Sequence, residues 1–392
     1  MTENDIVTPE LVKWKEYTLL EKLPDPFVAE DGRRITDPAE WENRGKEIKA
    51  GACTLLYGEC PPQPEFLEIE PLCDYYYSST KVYRITTGTR AKPLSFRLKI
   101  LLPPNTQGKF PIIVNDDDCF LRQDGFFEAA LSRGIGWAVF DRTEIAHDVQ
   151  SEARGHGAIY ETYPELDCGA LSCWAWGYSR AIDALEKLDL PIDLDWIAVT
   201  GHSRGGKTVL LAGAMDERIR IVNPNESGAG GCGCYRLPVQ GVYNGGTEGR
   251  TEQIRDSIEA FPYWYGKDFA AYVDREAALP FDLHYIKALI APRTLFESEA
   301  AGDLWCNPVG SWQTVMAAKE VYRFLHAEDK LFWYYRPGYH GHLAVDVQML
   351  VNVILHQKNG EPLDERMFRP PFEAPPLAFD WRCPENRDFP DA

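Results

Sequence analysis

The chain has 392 residues and a formal net charge of −19, long enough for one large α/β core and too acidic overall to attract a polyanion such as nucleic acid. No window approaches eighteen continuous apolar residues, so no membrane-spanning helix is expected, and the first thirty residues lack the basic start and apolar run of a secretory signal. A chain beginning at Met1 in this way is expected to be cytoplasmic, or secreted where a leader has been removed.

Residues 1–75 are polar, contain prolines and show weak periodicity, with short helical pieces such as Pro38–Ile48. They read as an N-terminal arm laid over a main domain at 76–358, because they hold too little clustered apolar material for a core of their own. Lys81–Thr86 and Leu94–Ile100 alternate like an antiparallel pair, whereas Phe110–Asn115 and Gly134–Phe140 are short apolar runs suited to buried central strands. Gly125–Gly134 lies between the latter two as a connecting helix, and Cys173–Leu188 is a clearer helix with bulky residues on one side. Leu194–Val199, Ile219–Val222, Ala291–Glu297 and Leu331–Tyr335 continue the strands, Lys207–Met215 and Leu343–His356 the helices. Strands alternating with helices predict a three-layer α/β-hydrolase sandwich around a mostly parallel sheet. The Pro-rich segment 359–392 reads as an extended C-terminal tail. The ten cysteines form no convincing metal pattern: Cys232 and Cys234 stand too close together, and Cys168 and Cys173 lack a matching histidine pair. The histidines show no H-E-x-x-H run either.

The most informative stretch is Ile197–Lys207, IAVTGHSRGGK. Gly201, Ser203 and Gly205 fill the G-x-S-x-G pattern between an apolar strand and a helix, a turn so tight that side chains two places from the serine would collide with their neighbours. A serine hydroxyl is a poor nucleophile near neutral pH, so Ser203 needs a histidine to take its proton and a carboxylate to orient that histidine, in the chain order serine, acid, histidine. His340 and His342 in RPGYHGHLAVD follow the last strand, and His340 is preferred as base with His342 as the alternative. His202 should point away across the turn. Two acids satisfy the order. Glu226 in NPNESGAGG is preferred because Asn225, Ser227 and the nearby glycines offer close donors; Asp303 in SEAAGDLWCNP is the alternative. The oxyanion hole calls for the Arg204 N–H plus a donor from Asn115–Phe120, and the Arg204 guanidinium adds positive charge. Asp116, Asp117 and Asp118 beside such a site are awkward unless paired or turned away.

These residues resemble the glucuronoyl esterases, α/β-hydrolases that cleave esters of 4-O-methyl-glucuronic acid joining xylan side groups to lignin alcohols. The resemblance lies in GHSRGGK (201–207), NESGAGG (225–231), AFPYW (260–264), APRTLFESEAAGDLWCNP (291–308), RPGYHGH (336–342) and WAWGYSRAIDAL (174–185), spanning roughly 90–357. It implies Ser203 as nucleophile, Arg204 as oxyanion contributor, and Lys207, Glu252 and Trp305 as sugar contacts, with Glu226 and Asp303 at or near the two acid positions used within the family. The chain departs from the family in NDDDC after the third core strand, where an apolar Asn/Gly-rich loop is common, and in lacking a signal. The expected activity is hydrolysis of a glucuronate ester on a small molecule or oligosaccharide through an acyl-enzyme, without metal or organic cofactor. An acetylxylan or other carbohydrate deacetylase is the nearest alternative. A non-catalytic carbohydrate-binding or scaffold protein on a hydrolase fold is the alternative from another class.

Overall fold

The computed structural model describes residues 12–74, 79–104, 107–120, 125–243, 247–369 and 375–384. Within them the strands are β1 (Val12–Tyr17), β2 (Phe66–Cys73), β3 (Thr80–Gly88), β4 (Pro93–Leu101), β5 (Phe110–Asn115), β6 (Gly136–Phe140), β7 (Ile192–His202), β8 (Ile221–Asn225), β9 (Val239–Tyr243), β10 (Glu248–Arg250), β11 (Thr294–Ala300) and β12 (Leu331–Arg336). Nine of them form one sheet in the order β12-β11-β8-β7-β5-β6-β4-β3-β2. Every pairing from β6 to β12 is parallel, while β2, β3, β4 and β6 pair antiparallel in turn. The expected antiparallel start and parallel centre are both present. Burial explains the sequence patterns: β5, β6 and β12 are buried at every position and read as largely apolar runs, whereas β4 alternates buried and exposed residues.

Helices cover both faces. Ala170–Lys187 and Arg204–Met215 pack with the larger core cluster, and Phe126–Leu131 and Ala344–Asn359 close the other side around Trp137, Phe296 and Leu350. The architecture is that of an α/β-hydrolase: a large, mostly parallel sheet between helical layers. No helix among the described residues is long and apolar enough to cross a membrane.

Several elements were not anticipated. Strand β2 lies within the segment expected as an arm and supplies an edge of the main sheet. A second, three-stranded sheet joins β1, β9 and β10. The helix Pro308–Phe324 is buried on almost every side, so it shows no amphipathic stripe to betray it. Its start was nevertheless written locally, since Asn307 caps it through a 2.9 Å bond from Gly310 N–H and Pro308 follows at the first turn.

The chain's two outer segments meet. Leu23 N–H donates to Ala378 O at 2.9 Å and Trp381 Nε1 to Leu23 O at 2.8 Å, while Gln313 brackets the 376–378 stretch through Pro376 O and Ala378 N–H. His284 joins this clasp, its Nε2–H donating to Pro24 O at 2.9 Å while Nδ1 is buried without a partner.

Burial holds the His284 imidazole down to about 3. Its folded value lies below its unfolded one, so its contribution is present above the ordinary histidine range and is lost as pH falls toward 3, at up to about 1.4 kcal/mol per pH unit. Urea unfolding of wild type and His284→Gln at pH 7 and pH 5 should therefore show the variant losing less stability on acidification. An equal loss in both proteins contradicts the assignment.

Candidate active site

Strand β7 runs straight into the tight turn. Ser203 has φ 56° and ψ −117°, a left-handed backbone that a non-glycine residue holds only at a cost of about 1–3 kcal/mol, and its N–H donates to Asn225 O at 2.9 Å. A Cβ on Gly201 would stand 2.4 Å from Gly205 O, which is the collision the pentapeptide avoids. His202 Nδ1 meets Asn225 Oδ1 at 2.7 Å, and its ring lies 4.4 Å from that of His340. Burial, together with the neighbouring His340 and His342, holds this imidazole down to about 3.

His340 comes over the turn from the loop after β12. Its Nδ1–H donates to Asp303 Oδ2 at 2.6 Å, whereas Glu226 Oε2 is 3.5 Å away and Cys306 Sγ 3.4 Å. The local sequence favoured Glu226, but the shorter contact belongs to Asp303. Glu226 is instead occupied elsewhere: Arg336 pairs with one of its oxygens and Gly341 N–H donates to the other at 2.8 Å. Burial pushes the Glu226 carboxyl well up, with Arg336 opposing and Asp303 adding. Burial also works against Asp303, yet its bond to His340 leaves it below the usual carboxylate range. The two environments thus separate the acids: Arg336 and Gly341 hold Glu226, and Asp303 carries the short bond to the imidazole.

His342 packs its ring 4.6 Å from Phe126, and its Nε2 is buried without a hydrogen-bond partner. A cavity of about 760 Å³ opens over the turn, lined by Ser203, Arg204 and His340 on its polar side and by Phe120, Phe126 and Leu343 on its apolar side. Arg204 is fixed in this wall: its guanidinium donates to Asp148 Oδ1 at 2.9 Å and lies 4.8 Å from both the Phe261 and Trp264 ring centres. Tyr263 OH donates to the same Asp148 oxygen.

The acidic run is paired. Asp118 meets Lys99 at 2.8 Å, and Asp117 forms an ion pair with the wholly buried Arg142. Asp116 lies 3.6 Å from Arg142, and burial, more than offsetting that cation, pushes it up to about 8. Three aspartates therefore place little net charge beside the cavity. Arg142 also reaches Asp148 at 3.2 Å, so it supports the carboxylate that holds Arg204. Sequence reading passed over Arg142; its position two residues beyond β6, at the carboxyl end of a central parallel strand, was the available signal. Of the backbone donors in this loop, Asp117 N–H is already taken by Asn115 Oδ1 and Phe120 N–H by Asp117 O.

Lys207 lies one helical turn from Ser203 with Glu252 beside it, and the Trp305 carbonyl meets the Glu252 backbone. Lys207 Nζ donates to Ser227 O at 2.6 Å, lies 3.5 Å from Glu252 Oε2 and faces the Trp264 ring at 5.6 Å. Glu252 accepts from Ser257 Oγ, and its N–H donates to Trp305 O. Lys207 and Glu252 are buried, while the Trp305 side chain is exposed.

Sheet, turn and histidine loop define the chain as an α/β-hydrolase. A family model described as "Glucuronyl esterase, fungi" matches residues 85–326. The 4-O-methyl-glucuronoyl methylesterase of Podospora anserina is 32% identical over 329 residues, 82% of this chain and 64% of that protein, so the chain spans slightly under two thirds of that relative's length. Among solved structures, a carbohydrate esterase family 15 glucuronoyl esterase from Caldicellulosiruptor kristjansonii superposes with TM-score 0.81 at 30% identity, over 93% of this chain and 98% of that one. A serine-to-alanine mutant of the Sporotrichum thermophile glucuronoyl esterase, in complex with methyl 4-O-methyl-β-D-glucopyranuronate, matches with TM-score 0.69 at 26% identity over 89% of this chain and 90% of that one. The chain belongs to the glucuronoyl esterase family, carbohydrate esterase family 15, a family of serine-dependent carboxylic ester hydrolases.

Replacing Arg142 with methionine leaves Asp117 and Asp148 buried without their shared cation. Breaking a buried pair in this way costs about 3–5 kcal/mol, so denaturant unfolding of Arg142→Met should show a loss of that order. A change below about 1 kcal/mol, the scale of an exposed ion pair, would show that the cation is dispensable.

Proposed function

We propose that the chain hydrolyses a glucuronate or 4-O-methyl-glucuronate ester, with Ser203 as nucleophile, His340 as general base and Asp303 as the orienting acid. The observation that carries this reading is the 2.6 Å bond between His340 and Asp303 at the mouth of a cavity that Ser203 also lines. The bond fixes the tautomer: with Nδ1 protonated, Nε2 is free to take the serine proton. Ser203 Oγ attacks the ester carbonyl and its proton passes to His340. The tetrahedral oxyanion is stabilised by the Arg204 N–H, at the start of a helix, and by the guanidinium that Asp148 holds in place. His340 returns the proton to the departing alcohol, leaving an acyl-enzyme, and then activates the water that releases the acid.

Glu226 has a different part. Anchored by Arg336 and bonded to Gly341 N–H, it holds the loop that carries His340. Lys207 and Glu252, with Trp305 beside them, supply a cation, a sugar-hydroxyl acceptor and an apolar face, the three features a uronate ring needs. Pairing of the acidic run removes the main reason to look for a substrate unlike the family's.

Turnover of benzyl or methyl glucuronate should fall by about 10⁴-fold or more in Ser203→Ala and by about 10⁴-fold in Asp303→Asn. Glu226→Gln should keep most of kcat and lose stability instead. Loss confined to Glu226→Gln would return the acid role to Glu226, and cleavage of an acetylated xylooligosaccharide as fast as the uronate ester would reject the substrate class in favour of a deacetylase.

A further inference from the structure

Outside the catalytic cavity, the loop between β6 and the short helix Ala158–Thr162 brings His147, Glu152 and His156 together. The order H-x4-E-x3-H matches no helical metal motif, and the fold, not the spacing, makes the cluster. His147 Nδ1 lies 3.3 Å from Glu152 Oε2 and His156 Nδ1 lies 3.8 Å from Glu152 Oε1; one donor atom from each of the three residues falls within 4.8 Å of the others. The two imidazoles face each other at 6.2 Å with an interplanar angle of 18°. Around a tetrahedral ion with bonds of about 2.0–2.1 Å, neighbouring donors stand roughly 3.3–3.4 Å apart, so small side-chain rotations close the set.

Backbone bonds hold the frame in place. His147 N–H donates to His156 O at 3.0 Å, Glu152 N–H to Val149 O at 3.0 Å, and Ser151 N–H to Ala260 O at 2.9 Å. Glu152 Oε2 is buried and makes no hydrogen bond, His147 Nδ1 meeting Oε1 instead at 3.4 Å, while both imidazoles are half exposed and open to an incoming ion. We propose that His147, Glu152 and His156 form a binding site for a zinc-like divalent cation, with water completing a four-coordinate shell. Two imidazoles and one carboxylate suit a borderline ion such as Zn²⁺ better than the all-oxygen shells of Ca²⁺ or Mg²⁺. The site sits next to Asp148, whose carboxylate holds Arg204, so a bound ion pins from outside the loop that Arg142 pins from within.

The test is titration of the EDTA-stripped full chain with Zn²⁺ by calorimetry. Wild type should bind one ion per chain, and His340→Ala should retain it, which separates this site from the catalytic histidines. The double variant His147→Ala/His156→Ala should lose it. Glu152→Gln, which keeps the side chain's shape, should weaken binding by at least the roughly 10–100-fold that even outer-shell changes cost. The proposal is overturned by absence of binding in wild type at about 100-fold molar excess, by undiminished binding in Glu152→Gln, or by loss of the ion in His340→Ala alone.

Discussion

Everything at the candidate site hangs on one backbone constraint, the left-handed conformation of Ser203 between a central strand and a helix. It can be sustained because β7 is clamped on both sides, by β5 and β8, and because Ser203 N–H is bonded to Asn225 O on the neighbouring strand. Gly201 contributes by what it lacks, since a Cβ there would stand 2.4 Å from Gly205 O, whereas one on Gly205 would crowd the Asp116 and Asp117 carboxylates. The rest of the site is arranged around a hydroxyl whose position is thereby fixed, with the histidine loop above it and the arginine wall beside it.

Charge is managed by a small number of buried cations in a molecule that is strongly acidic overall. Arg142 serves Asp117 and Asp148, Arg336 serves Glu226 and Asp346, and Lys207 serves Glu252. Each is nearly inaccessible to solvent. Such pairs are weak sources of net stability, because desolvation offsets their attraction, but losing one partner exposes its mate to the full cost of burial. Their value is geometric: they set which carboxylates face the imidazole and which are turned to structural duty.

The parallel core was legible because strands buried on both faces leave continuous apolar runs, and the turn was legible because its glycines are sterically required. Ser203, Arg204 and His340, all singled out in sequence, line one cavity, while Lys207 is buried one helical turn further on. The choice between Glu226 and Asp303 was not legible. Both obey the chain order, and only three-dimensional placement shows that Arg336, ten residues before Asp346, draws Glu226 away from the imidazole. Strand β1 escaped because its partner β9 lies more than two hundred residues along the chain, and β9 and β10, close neighbours in sequence, are too short to leave a clear period. Pro308–Phe324 escaped because burial on all sides erases helical periodicity, although its Asn-Pro start was visible.

The rings of His340, His202 and His342 form a short column, with His202 in the middle at 4.4 Å and 5.8 Å from its neighbours. Neighbouring imidazoles repel one another once more than one is cationic, and burial together with its two neighbours holds His202 down to about 3. His340 is the exposed end of the row, and it shares the cavity with Ser203.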